Sequence, residues 1–454
     1  MRQALLAWWR TGGGLSPTRL LIAAAIFHLV VTVTVFSLGR YAVLPGTFDR
    51  NGSAVSFAPD SATFHDEAAE LSETLQRGEF INWFSAHQPL HIRLYSICFA
   101  LFGPLLGENI ISAEPLNLLY YLTILILVFK LGREAFGQRV GLFAAAVVAL
   151  WPSLLLHTTQ LLRDQLFIIG MLAFVLILLR WLTRTYSWPQ ALLIAAAGAL
   201  IAALIWLARD NLGGIMIAAG IAGAGLLAAQ QFKQRRVQTT NLVGMALMLA
   251  LTIGVTQILP KFRQLEVRRP AVRQPLVEGT PKTPWGRVAA HIARVRLGFT
   301  QTYPDAGSNI DSDVQFHGLA DIIRYLPRAA AIGFFAPFPN MWLAPGKQVG
   351  SSGRLLIGAE SLMMYLIEAL AVYGLWRGRR LFHAWLLFLV SAIGMISLGM
   401  VVVNVGALYR LRYLFLITVI ILGVEGALQA LGRMSKKPSE AEESSEAEEM
   451  SAPA

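Results

Sequence analysis

Leu20-Leu21-Ile22-Ala23-Ala24-Ala25-Ile26-Phe27-His28-Leu29-Val30-Val31-Thr32-Val33-Thr34-Val35-Phe36-Ser37-Leu38 contains no Asp, Glu, Lys or Arg. Crossing about 30 Å of hydrocarbon takes about 20 apolar residues at the helical rise, so the stretch predicts a membrane-spanning helix. The same pattern recurs at 115–131, 140–156, 165–182, 190–207, 212–229, 240–259, 359–376, 383–403 and 411–431. With 55% hydrophobic and 14% charged residues and mean hydropathy +0.55, the 454-residue chain is predicted to be an all-α polytopic membrane protein. Met1 to Arg19 carries three arginines, two tryptophans and three consecutive glycines, and no small-residue cleavage site follows the first apolar run. Residues 20–38 are therefore expected to be retained as a signal anchor.

Basic loops set the expected orientation. Lys130 to Arg139, Arg180 to Arg184, Lys233 to Arg236 and Arg377 to Arg380 should share the cytoplasmic side with the N-terminus. That parity holds with ten spans, if 89–106 and 329–342, both interrupted by proline or arginine, are juxtamembrane pieces. Counting both as spans gives an alternative of twelve. The expected organisation is a cytoplasmic N-terminus (1–19), a transmembrane module (20–259) whose first outward loop is 39–114, a long basic outward loop (260–358), C-terminal spans (359–431) and an acidic tail (432–454). The six glutamates and absent apolar periodicity of Lys436 to Ala454 predict disorder. From Pro260 to Phe299 there are nine Lys or Arg against two acids, which suggests an anionic neighbour such as a glycan or lipid head groups, or a solvated segment. The lone Cys98 excludes an intramolecular disulfide and reads as a small buried hydrophobe.

Chemistry is sought where charge meets the bilayer, because an ionisable group there needs water, a partner or a substrate. The first outward loop holds Pro59-Asp60-Ser61-Ala62-Thr63-Phe64-His65-Asp66-Glu67, and Asp164 and Asp210 head later spans. No HExxH, Cys/His pair or nucleophile elbow is present, and His87 with His91 lacks a third ligand for a metal. Carboxylates beside the membrane therefore point to general acid or base work, with Asp60 and Asp164 expected over one cavity and Asp66 and Glu67 as a rival pair. Outward arginines suited to a phosphate group are Arg209, Arg324, Arg328, Arg410 and Arg412, the last two clustered with Tyr409 and Tyr413.

Pro59 to Glu79 resembles the first outward loop of the GT-C superfamily of polyprenyl-phosphate-sugar-dependent membrane glycosyltransferases, including the protein-mannosyltransferase-like and aminoarabinose-transferase-like families. His87-Gln88-Pro89-Leu90 resembles their His-Pro-Pro-Leu element, Leu131 to Arg139 their basic turn, and Trp151-Pro152-Ser153 with Leu162-Arg163-Asp164 their second outward loop. The resemblance covers about the first 210 residues. Phe64 stands where many relatives have Tyr, and no large soluble domain follows the last span.

The resemblance implies a GT-C-like bundle of ten to twelve helices with juxtamembrane helices in its outward loops. It implies an inverting glycosyltransferase of a bacterial inner membrane, with its site facing the periplasm. Asp60 would be the catalytic base and Asp164 the second acid, with His87, Arg163 and the other arginines as ligands of the lipid-linked phosphate. The donor would be a polyprenyl-phosphate sugar and the acceptor a glycan, lipid or protein; metal dependence is open, and nucleic acid is not expected. A transporter or flippase for lipid-linked sugars is the alternative, as is a non-catalytic subunit working with polysaccharide-assembly proteins. Against transport, the sequence shows no broken helices in matching halves and no charge at mid-membrane depth.

Overall fold

The computed structural model describes residues 16–41, 43, 53, 54, 58–86, 88–208, 213–266, 283–302, 308–343 and 350–449. They form an all-α polytopic membrane protein with no strands among the described residues. Helix α1 (Pro17–Arg40) starts on the Ser16 cap, whose side chain accepts the Arg19 N–H, with proline in its first turn. The polar stretch after it forms α2 (Pro59–Gln76) and α3 (Phe80–Ser85), and α4 (Leu90–Leu106) returns to apolar sequence. Then come α5 (Ile110–Phe136), α6 (Gln138–Ala149), α7 (Pro152–Thr158), α8 (Asp164–Thr183), α9 (Trp188–Ala208), α10 (Gly213–Gln234) and α11 (Thr239–Glu266). The last group is α12 (Pro284–Thr302), α13 (Leu319–Phe335), α14 (Gly350–Arg377), α15 (Phe382–Val401), α16 (Val405–Leu411) and α17 (Tyr413–Glu449).

Among the described residues nine helices are long and apolar enough to cross a membrane, and a tenth is counted if α6 and α7 are taken together. The apolar run predicted to span 140–156 is in fact broken between Ala149 and Pro152 and bent by 69°. Pro152 has no N–H to continue the ladder, so the chain starts a new helix there. The 17 residues of α4 reach about 25 Å, short of the hydrocarbon thickness, and α13 stops at Phe335, so neither piece of the twelve-span count is among the spanning helices. Helix α17 runs on to Glu449, as suits a Glu- and Ala-rich sequence of good helix formers.

Three apolar cores result among the described residues, one of them a small cluster of Ala289, Phe316, Ile322, Ala329 and Met400. The large one joins α5, α6, α8, α9, α15 and α17, with Trp151, Trp181 and Phe415 nearly inaccessible. A smaller one under α2 and α4 contains Leu71, Ile92, Tyr95, Phe99 and Leu161. Elsewhere helices meet backbone to backbone. A Cβ on Gly374 of α14 would lie 2.6 Å from the Leu422 carbonyl of α17, and one on Gly426 would collide with the Leu370 carbonyl. Without a hydrophobic driving force in lipid, such close approach supplies the dispersion that holds helices together. Gly374→Ala should therefore destabilise the folded chain by about 1–3 kcal/mol, measured as a lowered thermal midpoint in detergent.

Candidate functional site

Asp60 lies in the first turn of α2, where the helix dipole favours a carboxylate. The next residue anchors that turn: Ser61 Oγ accepts the Leu161 N–H at 3.0 Å, and the Gln160 amide donates to Ala54 O at 3.1 Å. Behind them Tyr95 donates to Asn117 Oδ1 at 2.8 Å, and Asn117 donates to Thr159 O at 3.0 Å. Two of these bonds satisfy main-chain groups of the non-helical segment, the Leu161 N–H and the Thr159 carbonyl, as a low-dielectric setting requires. They also deliver Asp164, in the first turn of α8, to the side of Asp60.

The group that joins the two carboxylates is Arg410. Its Nε lies 2.8 Å from Asp164 Oδ2, and its Nη2 donates to Asp60 Oδ2. The three side chains are 14%, 8% and 28% exposed, so the pairs are screened far less than surface ion pairs are. Helix α16, which carries Arg410, is capped by Asn404, whose Oδ1 accepts the Ala407 N–H at 3.0 Å. The segment 308–310 clasps the turn before it, with Ile310 N–H donating to Val403 O at 3.0 Å and Val405 N–H to Ser308 O at 3.2 Å. His157, Thr158, Gln165 and Tyr413 surround Asp164 and Arg410 around a cavity of about 10 Å³, room for about one water.

A second polar layer lies against this one. Glu360 of α14 accepts the Ser153 N–H at 2.6 Å, at the start of α7, and the Tyr409 hydroxyl. Burial, and then the Glu360 carboxylate, push the Tyr409 phenol well above its ordinary range, so it stays a donor. Arg412 stacks over the Tyr409 ring at 4.4 Å and donates to Ala336 O. His157 Nδ1 lies 2.6 Å from Ser153 O and 3.1 Å from the Tyr413 hydroxyl.

The predicted site residues thus divide. Asp60, Asp164, Arg410 and, one turn along α2, Phe64 with the Arg163 guanidinium 6.0 Å above its ring form one neighbourhood. Asp66 points elsewhere: its side chain is 84% exposed and pairs with His65 at 3.0 Å. Glu67, half-buried, falls on the Asp60 face of α2 two turns on, because seven residues nearly complete two turns. Arg412, predicted as an outward phosphate ligand, is 1% exposed and spent on Tyr409 and a carbonyl. Arg328 is likewise engaged, gripping Asp311 at 2.9 and 3.1 Å. Arg324 is exposed, while His87, Arg209 and Asp210 lie outside the described residues. In the basic segment, Arg296 is no surface charge: it is 3% exposed and donates to the carbonyls of Val314, Met400 and Asp311.

Charge also lies within the spans, and Glu360 and Glu368 stand inside the predicted 359–376 stretch itself. His28, Glu114, Glu360 and Glu368 are all buried in spanning helices, against the expectation of none at depth. Glu114 escaped because the predicted span begins at the next residue, and His28 because one histidine barely changes the hydropathy of α1. His157 had a signal, as a lone imidazole five residues after Pro152. No family model matches the chain, and no curated protein matches it.

The Arg328 guanidinium, hydrogen-bonded to Asp311, holds that carboxyl below its ordinary value of 3.8. A depressed folded-state value stabilises above the unfolded value and is lost as pH falls through the folded one. The Asp311–Arg328 pair should therefore weaken only below about pH 4. Asp311→Asn should remove that acid-side step in thermal midpoints measured against pH.

Proposed function

We propose that the chain is an integral membrane glycosyltransferase of GT-C type. It moves a sugar from a polyprenyl-phosphate donor to a glycan, lipid or protein acceptor on the periplasmic side of a bacterial inner membrane. The observation that carries the reading is Arg410 held between Asp60 and Asp164 at the end of the bundle. A base and a phosphate ligand are the two groups such a transfer needs, and here each occupies the other until a substrate arrives.

The acceptor hydroxyl attacks the anomeric carbon from the face opposite the phosphate, and its proton passes to Asp60. The bond from that carbon to the phosphate oxygen breaks, leaving its electron pair on the phosphate and inverting the centre. Arg410 turns its hydrogen bonds from carboxylates to the departing phosphate. Asp164 keeps Arg410 aligned. The cavity of about 10 Å³ is too small for a sugar, so donor binding must open the Asp60 contact, exchanging one anion for another at the same guanidinium.

One observation favours a second reading, transport of a lipid-linked sugar. The α6–α7 break sits beside buried ionisable groups, and broken helices near such groups mark transport paths. Asp60→Asn decides between them. It should lower transfer by about 10²–10⁴-fold with donor binding largely kept, whereas Arg410→Ala should weaken donor binding. A carrier would show mild loss in Asp60→Asn and flux controlled by Arg410. Full transfer in an Asp60→Asn, Asp66→Asn, Glu67→Gln triple variant would exclude these α2 acids as the source of the base.

Orientation is tested separately. In a Cys98→Ala background, Ser308→Cys should react with a membrane-impermeant thiol reagent in intact cells, and Gly378→Cys only after lysis. The reverse pattern would put the site in the cytoplasm.

A further inference from the structure

His28 and Glu114 stand behind the candidate site and touch it through one hydroxyl. His28, midway along α1 and fully buried, places Nδ1 2.8 Å from Glu114 Oε1 and Nε2 3.1 Å from Thr158 Oγ1. Thr32 donates to Glu114 Oε2 at 2.9 Å. Thr158 donates its own proton to Leu155 O at 2.8 Å, so it must accept from His28 Nε2–H. A single proton on the Nδ1 to Oε1 contact then completes the set, whichever atom carries it, and the pair is neutral as a unit. Apolar residues would fill the same space without desolvating polar groups, so packing alone does not account for the pair.

Thr158 ends α7, a helix of seven residues that follows a 69° bend and precedes non-helical chain. The helix is two turns long, and beyond the packing of Leu154 and Leu155 in the large core its rotation is set by polar contacts at its two ends. Its start is held by Glu360 through the Ser153 N–H, and its end by His28 through Thr158. Successive helical residues lie about 100° apart, so pinning Thr158 sets the direction of its neighbour His157, which lines the cavity with Asp164 and Arg410.

We propose that His28 and Glu114 are positioning residues for the Arg410 site, acting through the Thr158 hydroxyl to fix the rotation of α7 and the placement of His157. The inference rests on the reading of that site as the place of reaction, yet its first test needs no activity. In histidine-15N-labelled protein in nanodiscs, the His157 ring signals are identified by their loss in His157→Gln. Thr158→Val keeps the shape and removes the hydroxyl, and should shift those signals; Thr158→Ser should leave them in place. Glu114→Gln, if it folds, should give the same shift as Thr158→Val. Unmoved His157 signals in Thr158→Val overturn the proposal.

Turnover per folded molecule gives the second readout. Thr158→Val and His28→Gln should each lower transfer by about 10²-fold, as misplacement by about an ångström does, with Thr158→Ser restoring it. The double variant should be no worse than the poorer single one, because both break one path. Additive losses would overturn that path. A wild-type chain that transfers no sugar defeats the transferase reading alone and leaves the His157 spectrum to decide this one.

Discussion

The ion pair set of Arg410 with Asp60 and Asp164 is the constraint on which the rest of the site depends. It draws together three helix ends from distant parts of the chain, and all three partners are charges that the low-dielectric interior tolerates only when paired. Remove the guanidinium, and two carboxylates a few ångströms apart are left to repel. The surrounding hydrogen bonds make sense as a frame for this triangle: Ser61 to Leu161 holds one corner, the 308–310 clasp another.

Around that triangle the protein spends its polar residues on backbone. Arg296 and Arg412 are both buried, and both donate to main-chain carbonyls at turns that interrupt helices. Glu360 performs the complementary service for a main-chain N–H at the start of α7. Non-helical backbone at membrane depth survives only with such partners, so these residues are the condition for having bent chain near the site at all.

The sequence carried the fold well because hydropathy is a local property: each span is read from its own residues. Asp164 was legible for a related reason, being an acid at the head of an apolar run, and Asp60 as an acid in the polar loop after the first span. The bonds that decide what arginines do were not legible. Arg410 meets a residue 350 positions away, and Arg328 finds Asp311 only because α13 folds back on the segment before it. Hydropathy averaging also concealed the break at Pro152 and the buried His28, since one polar residue in nineteen leaves the mean almost unchanged, while Glu114 fell one residue outside the predicted 115–131 span. At the break the proline was the better signal, because its missing N–H acts at a single position.

The glycine contacts between α14 and α17 have a mechanical consequence. With carbonyls of one helix pressed against the glycines of the other, no layer of side chains remains to slide or re-pack, and the pair moves as one beam. Arg410 hangs from the head of that beam. Asp60, by contrast, stands on α2, over the smaller core that α2 shares with α4. The two carboxylates of the site thus rest on different footings: Asp60 on the smaller core, Asp164 on α8, whose Phe167 and Ile168 belong to the large one.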